Sequence, residues 1–339
     1  VFQDRDTQPD PRLLVAQGAV AVVPPLRLAR YRLLFIAEED ASFSRFSGSA
    51  WRGALGHALR RMACVMQVPS CGPCPLMRSC LYAYLFETPP AIVGGKLRRY
   101  NAAPHPYVLD PRSSDARRFA SGERIELGLT LFGARANNAI PYLLSALAEA
   151  GRRGVGRQRA RLRLDEAYQL DLHGRPQQLV YSRGRLYPPA EPSVVGIPVP
   201  APQEIRIELL SPLRLRREEG LVRPDNFGFA DLFSSLLRRA SLLSHFHGDM
   251  PLETDFKGLM EKARRVVAIK TNLRWQELTR YSTHQHASMR MGGLLGEIVL
   301  EKGDWADFWP YLWLGQWMHA GKGTTMGLGQ YRLCEPASL

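Results

Sequence analysis

The chain has 339 residues, a formal net charge of +13 and a pI near 9.8, and 39 of its 45 basic residues are arginine. That length buries a core without disulfides, and the charge points to a polyanion, most readily nucleic acid, because the guanidinium fork suits phosphate and base stacking. No run approaches the roughly 18 uninterrupted apolar residues of a membrane span, and the polar start "VFQDRDTQPDP" with an odd five cysteines predicts a reducing cytoplasm.

After an N-terminal extension (1–27), residues 28–37 read as a strand and 47–64 as a helix capped at Ser47 or Ser49. A weaker strand follows near 105–110, then an alternating strand at 123–132, a helix at 138–151 and a final strand at 157–164. That order, β-α-β-β-α-β, is the ferredoxin-like arrangement. A proline-rich linker (187–203) leads to a second copy: strand 204–215, helix 229–246, strands 265–270 and 293–301, helix 304–321 and a closing strand within 328–334. The expectation is an α+β protein of two tandem ferredoxin-like (RRM-like) domains, 28–186 and 204–339, with a cysteine-rich insertion at about 64–88.

Both halves pass from their last helix through Gly-x-Gly into the closing strand: Gly154-Val155-Gly156 and Gly327-Leu328-Gly329. The second lies in "HAGKGTTMGLGQYRL", which fails as a Walker loop because Lys322 opens it and a strand follows. Arg159, Arg161 and Arg163 alternate with apolar residues, so a strand would put all three on one face; Arg152, Arg153 and Arg157 crowd the turn before it. Such a face is either a solvated sheet surface or an RNA platform, and the aromatic signature of ordinary RRM stacking is missing.

"SPLRLRRE", "LLRRASLLSHF", "RYSTHQHASMRMGGLLGE" and above all the glycine loop resemble the CRISPR precursor-RNA-processing endoribonucleases of the RAMP superfamily, over most of residues 28–334. The resemblance implies two ferredoxin-like domains and a ribonuclease that cuts CRISPR repeat RNA to release guide RNAs. The alternative is a non-cleaving guide-RNA-binding subunit of a CRISPR effector complex; a DNA-binding regulator lacks a helix-turn-helix. RNA contacts are expected from Arg52, Arg60, Arg157, Arg159, Arg161, Arg280, Tyr281, Gly323, Thr324, Thr325, Gly327 and Gly329, the glycine loop offering backbone amides to the phosphates.

Cys64, Cys71, Cys74 and Cys80, spaced C-x6-C-x2-C-x5-C, suit a structural zinc ion, with an iron–sulfur cluster as the other reading of the same ligands. Cys334 reads as core. Metal-free RNA cleavage needs a base for the ribose 2′-hydroxyl and an acid for the leaving 5′-oxygen, work that suits histidine. His57 sits between the small Gly56 and Ala58 near Arg52, Arg60 and Arg61, and family members use a histidine from this helix, so it leads. His284 and His286 are rivals, Lys322 or an arginine would neutralise the phosphate, and His319, His245 and His247 read as structural, the last two as cations favoured at a helix end. No carboxylate cluster suggests a two-magnesium site, so the expected chemistry leaves 2′,3′-cyclic phosphate and 5′-hydroxyl ends.

Overall fold

The computed structural model describes residues 20–21, 26–89, 103–111, 117–218, 220–267, 269–282 and 287–334; for 20–21, 280–282 and 287–289 it describes the backbone alone. His284 and His286 lie outside the described residues.

The first half runs through β1 (Arg27–Ala37), α1 (Gly48–Ala63), β2 (Tyr107–Pro111), β3 (Arg124–Phe132), α2 (Ile140–Arg153), β4 (Leu162–Leu170) and an added β5 (Pro176–Ser182). Its strands pair antiparallel in the order β2-β3-β1-β4-β5. The first strand is therefore central with the fourth beside it, consistent with the ferredoxin-like path. Alternation on β1 sends Ala29, Tyr31, Leu33, Phe35 and Ala37 into one core, where Trp51, Leu55 and Leu59 of α1 and Leu143, Leu144 and Leu147 of α2 cover them.

The second half contains β6 (Ile205–Leu213), α3 (Phe229–His247), α4 (Phe256–Arg264), β7 (Ile269–Gln276), β8 (Thr279–Ser282), β9 (Ala287–Arg290), β10 (Gly293–Leu300), α5 (Trp309–Met318) and β11 (Tyr331–Cys334). Sheet order is β7-β10-β6-β11, again antiparallel. Three local expectations change here. Residues 256–264 form α4, whose first turn is capped by the Asp255 carboxylate accepting from the Gly258 amide at 2.9 Å; the expected strand at 265–270 consequently starts only at Ile269. Tyr281 and Ser282, expected in a loop with His284 and His286, lie on β8, where Thr279–Ser282 pairs antiparallel with Ala287–Arg290 of β9. α5 begins at Trp309, because residues 304–308 form a turn whose Trp305 indole donates to the Gln203 and Glu301 carbonyls, both at 3.0 Å.

The proline-rich segment is a strap rather than a free spacer. Ser193–Val194 pairs with β1 and Ile197–Pro198 with Val20–Ala21. The indoles of Trp309 and Trp313 donate to the carbonyls of Pro198 (2.6 Å) and Gly196 (3.0 Å). Leu26, Leu28, Val108 and Phe132 of the first half join the core of the second, so the halves share apolar surface.

Candidate functional site

A cleft of 1780 Å³ opens where α1, the turn after α2 and the ends of the second half meet. Its described lining holds one histidine, His57, seven arginines (Arg45, Arg61, Arg117, Arg118, Arg153, Arg157 and Arg159) and no Asp or Glu. The floor is one stripe of α1: Ser49, Gly53, His57 and Arg61, four residues apart, with Ala50 and Ala54 beside them. A Cβ on Gly53 would meet nothing within 4 Å, so the stripe is open in front of the exposed His57. The small residues flanking His57 in sequence have another purpose. Gly56 and Ala58 are buried, and a Cβ on Gly56 would come within 2.7 Å of the Phe86 ring.

Two expected RNA contacts on α1, Arg52 and Arg60, make contacts within the protein and lie outside the cleft lining. Arg52 lies over the Phe86 ring at 5.3 Å. Arg60 donates to the carbonyls of Val68 (2.6 Å) and Pro69 (2.9 Å) and covers Tyr82 at 5.7 Å, which ties the cysteine segment to the helix. Helical rotation explains the split, since Arg52 and Arg60 point to the side where the Tyr82–Phe86 segment docks while Arg61 points with His57.

The opposite wall corrects the arginine-face expectation. β4 starts at Leu162; before it Gly154 (φ +94°), Gly156 (φ +82°) and Arg159 (φ +52°) bend the chain into a turn closed by the Val155 amide on the Ala160 carbonyl at 2.9 Å. The turn breaks the alternation. Arg157 and Arg159 enter the cleft, while Arg161 faces Glu39 (3.6 Å) and Arg163 bonds Asp165 (2.6 Å). Arg117 and Arg118 arrive on a short ladder, Arg117–Phe119 against Ala41–Phe43. Sequence reading passed over these two and Arg45, although an available signal was the absence of any carboxylate between Asp40 and Glu87. Outside the cleft exposed arginines are commonly paired, as in Arg175–Asp171, Arg217–Asp231 and Arg27–Asp249. Inside it, Arg61, Arg118, Arg157 and Arg159 have no ion pair among the described residues. Arg280 and Tyr281 lie on β8, directly after the lining residue Thr279.

The glycine loop is a keystone between the halves. Thr324, Thr325, Gly327 and Gly329 are buried, and several loop amides are bonded internally: Gly321 to Ser235 Oγ (2.7 Å), Lys322 to the Arg214 carbonyl (2.9 Å), and, of the expected RNA contacts, Gly327 to the Thr324 carbonyl (3.0 Å) and Gly329 to the Pro212 carbonyl (3.0 Å). A Cβ on Gly48, at the start of α1, would overlap the Met326 carbonyl, and one on Gly327 would reach 2.8 Å from the Leu109 carbonyl of β2. Only Met326 and Leu328 of the loop line the cleft. Lys322 is exposed and lies outside that lining, so the loop's lysine is not gathered with His57.

His319 is buried against the glycine loop, and His247, half-buried, bridges to the first half. His319 Nδ1 is 3.3 Å from the Leu328 carbonyl, and His247 lies between the Pro104 carbonyl (2.7 Å) and the Tyr84 hydroxyl (3.3 Å) of the first half. Burial, helped by the Arg239 charge, pushes both down to about 4. They are neutral near pH 7, which replaces the expected cation at His247 and agrees with a structural His319.

The four cysteines are free thiols, all partly exposed, in a stretch of turns in which none of residues 61–80 is buried. The Cys71 thiol is pushed up by burial and by Glu87, against the opposing Arg60 charge, with smaller contributions from Cys80 and Cys64. Among the described residues no three His, Cys, Asp or Glu side chains stand arranged to hold a metal as they are. The donor set itself, four thiols in a segment without a core, fits a thiolate-bound ion. No helix among the described residues is long and apolar enough to cross a membrane.

Two α+β halves locked by a glycine loop thus meet at an arginine-lined cleft. A family model described as an N-terminal domain matches residues 26–192, and the model of the CRISPR-associated endoribonuclease Cas6 matches residues 207–331. The match to the Cas6 model thus spans the second half of the chain. Among solved structures, it is similar to a Thermus thermophilus Cas6 product complex, at 17% identity and a TM-score of 0.51 over 91% of this chain and 99% of the other. It is also similar to a chain of a Cas6-RT-Cas1–Cas2 complex, at 15% identity and a TM-score of 0.53 over 94% of this chain and 30% of that one. At these identities the likeness describes the fold. No curated protein sequence matched the chain.

Proposed function

We propose that this chain cuts CRISPR repeat RNA by internal attack, without a catalytic metal, in a cleft between two tandem ferredoxin-like domains (28–186 and 204–339). The carrying observation is that the one histidine of the described lining shares the cleft with Arg61, Arg118, Arg157 and Arg159, which have no ion pair among the described residues, a setting that favours a phosphodiester over a neutral ligand. The 2′-oxygen attacks the adjacent phosphorus, the bond to the 5′-oxygen breaks, the 2′-hydroxyl proton leaves and the 5′-oxygen gains one. His57 moves one of those protons. Arg61, one helical turn further on, takes the charge-neutralising role that the sequence offered to Lys322. Products end in a 2′,3′-cyclic phosphate and a 5′-hydroxyl.

Cys64, Cys71, Cys74 and Cys80 would hold a structural zinc ion, which supplies folding energy to the insertion at about 64–88 rather than reaction chemistry. The partners are repeat and guide RNA and, by analogy with the complexes in which similar chains occur, a larger CRISPR assembly; the compartment is the cytoplasm. The test is a labelled repeat RNA incubated with protein and excess EDTA. Cleavage at one position with a cyclic-phosphate end supports the reading. Cutting of a substrate carrying a single 2′-deoxy sugar 5′ of the scissile bond at the normal rate overturns internal attack, and binding without any cleavage leaves the non-cleaving subunit.

A further inference from the structure

The turn Gly154–Ala160 combines three left-handed backbone positions in six residues, and the sequence supplies glycine at only two of them. The third, Arg159, has φ +52°, a conformation that strains any side chain with a Cβ unless something else is gained. The turn cannot relax around it. Its feet, Val155 and Ala160, are 2% and 3% exposed and bonded to each other, the Gly154 Cα abuts the Arg159 carbonyl so closely that no Cβ would fit, and Gln158 at the tip accepts from Ser42 Oγ at 2.8 Å. The Arg159 side chain is exposed in the cleft and has no hydrogen bond, ion pair or ring contact with a described residue. Its near neighbour Arg161, on the same connection, is neutralised by Glu39. A flexible surface arginine needs no strained anchor, whereas a charge that must stand at one fixed point does.

We propose that Arg159 is a register-setting residue: the strained turn holds its guanidinium against one phosphate of the bound RNA and so fixes which phosphodiester reaches His57. This rests on the cleft being the RNA site. The strain is the cost of fixing that contact, so removing it should stabilise the protein while harming its function.

The experiment compares wild type, Arg159→Gly, Arg159→Asn and, in the same turn without a positive φ, Arg157→Gly. Both Arg159 variants should melt at or above the wild-type temperature, since Gly and Asn tolerate the left-handed region. They should bind repeat RNA about tenfold more weakly, with a log K against log salt slope shallower by about 0.7 to 1, the value of one phosphate contact. They should also cut at two or more adjacent positions. Arg157→Gly should lose slope and keep a single cut. An Arg159→Gly protein with the wild-type salt slope and a single cut overturns the proposal, as does a lower melting temperature for both the Gly and Asn variants. Wild-type protein that binds no repeat RNA removes the cleft reading itself, an outcome read directly in the control lane.

Discussion

At the scale of single residues, the side chains that matter for chemistry are those with nothing else to do. Arg60 is spent on two carbonyls and a ring, and Arg52 packs over Phe86, whereas Arg61 and His57 face open space beyond Gly53. His57→Ala should therefore lower the single-turnover cleavage rate by about 10² to 10⁴, the usual worth of a general acid or base, and leave repeat-RNA affinity within about twofold. Equal rates in variant and wild type would pass the role to His284 or His286. His57 was put first in the sequence by its small neighbours, the nearby arginines and the family resemblance together. What could not be read was which of four nearby arginine and glycine positions share its face with open solvent, because that depends on where the Tyr82–Phe86 segment docks.

Elements carry the next layer. The glycine loop was legible as special from its composition, and the structure adds that its Gly321, Lys322, Gly327 and Gly329 amides are bonded to Ser235, Arg214, Thr324 and Pro212. Gly329 has φ +71°, and a Cβ there would overlap the Ala320 carbonyl. Gly329→Val should cost on the order of 2–4 kcal/mol through strain and overlap, seen as a lower urea midpoint. An unchanged midpoint would remove the keystone role. The cysteine segment makes the opposite case, an element with no buried residue between 61 and 80 that still keeps a defined path. About one zinc per chain is expected by elemental analysis, and Cys71→Ser with Cys74→Ser should lose it and lower the melting temperature. Metal-free wild-type protein with the same melting curve sinks the zinc assignment, and absorbance near 400 nm redirects it to an iron–sulfur cluster.

On the whole-molecule scale, the cleft exists because the halves are fixed against each other by shared core, strap, loop and the His247 contacts to Pro104 and Tyr84. That seam should be sensitive to acid. His319 and His247 have folded values near 4, below the ordinary 6.5, so the unfolded chain binds more protons between those limits. Stability is then complete above about pH 6.5 and lost as pH falls towards 4. His319, 3% exposed, should account for on the order of 2–3 kcal/mol of the loss by pH 4.5. Denaturant midpoints measured from pH 7.5 to 4.5 should fall, and His319→Gln should flatten the curve; a flat wild-type profile would mean that these rings are hydrated in solution.

Local pattern determined much of this protein. Period-two and period-3.6 alternation located β1, α1, β3, α2, α3 and β10 to within a few residues, since those signals arise from which side chains can share one face. The repeated Gly-x-Gly before each closing strand marked both turns, and the C-x6-C-x2-C-x5-C spacing marked the cysteine segment without any fold. Tertiary structure decided the rest. A run of alternating arginines became a strained turn with Arg159 in the cleft and Arg161 against Glu39, because two left-handed glycines consume residues that the pattern had counted as strand. Arg117 and Arg118 joined His57 across some sixty residues of chain only through the ladder to Ala41–Phe43. Alternation records burial on one element, whereas whether a charge is paired or free depends on which other element arrives beside it.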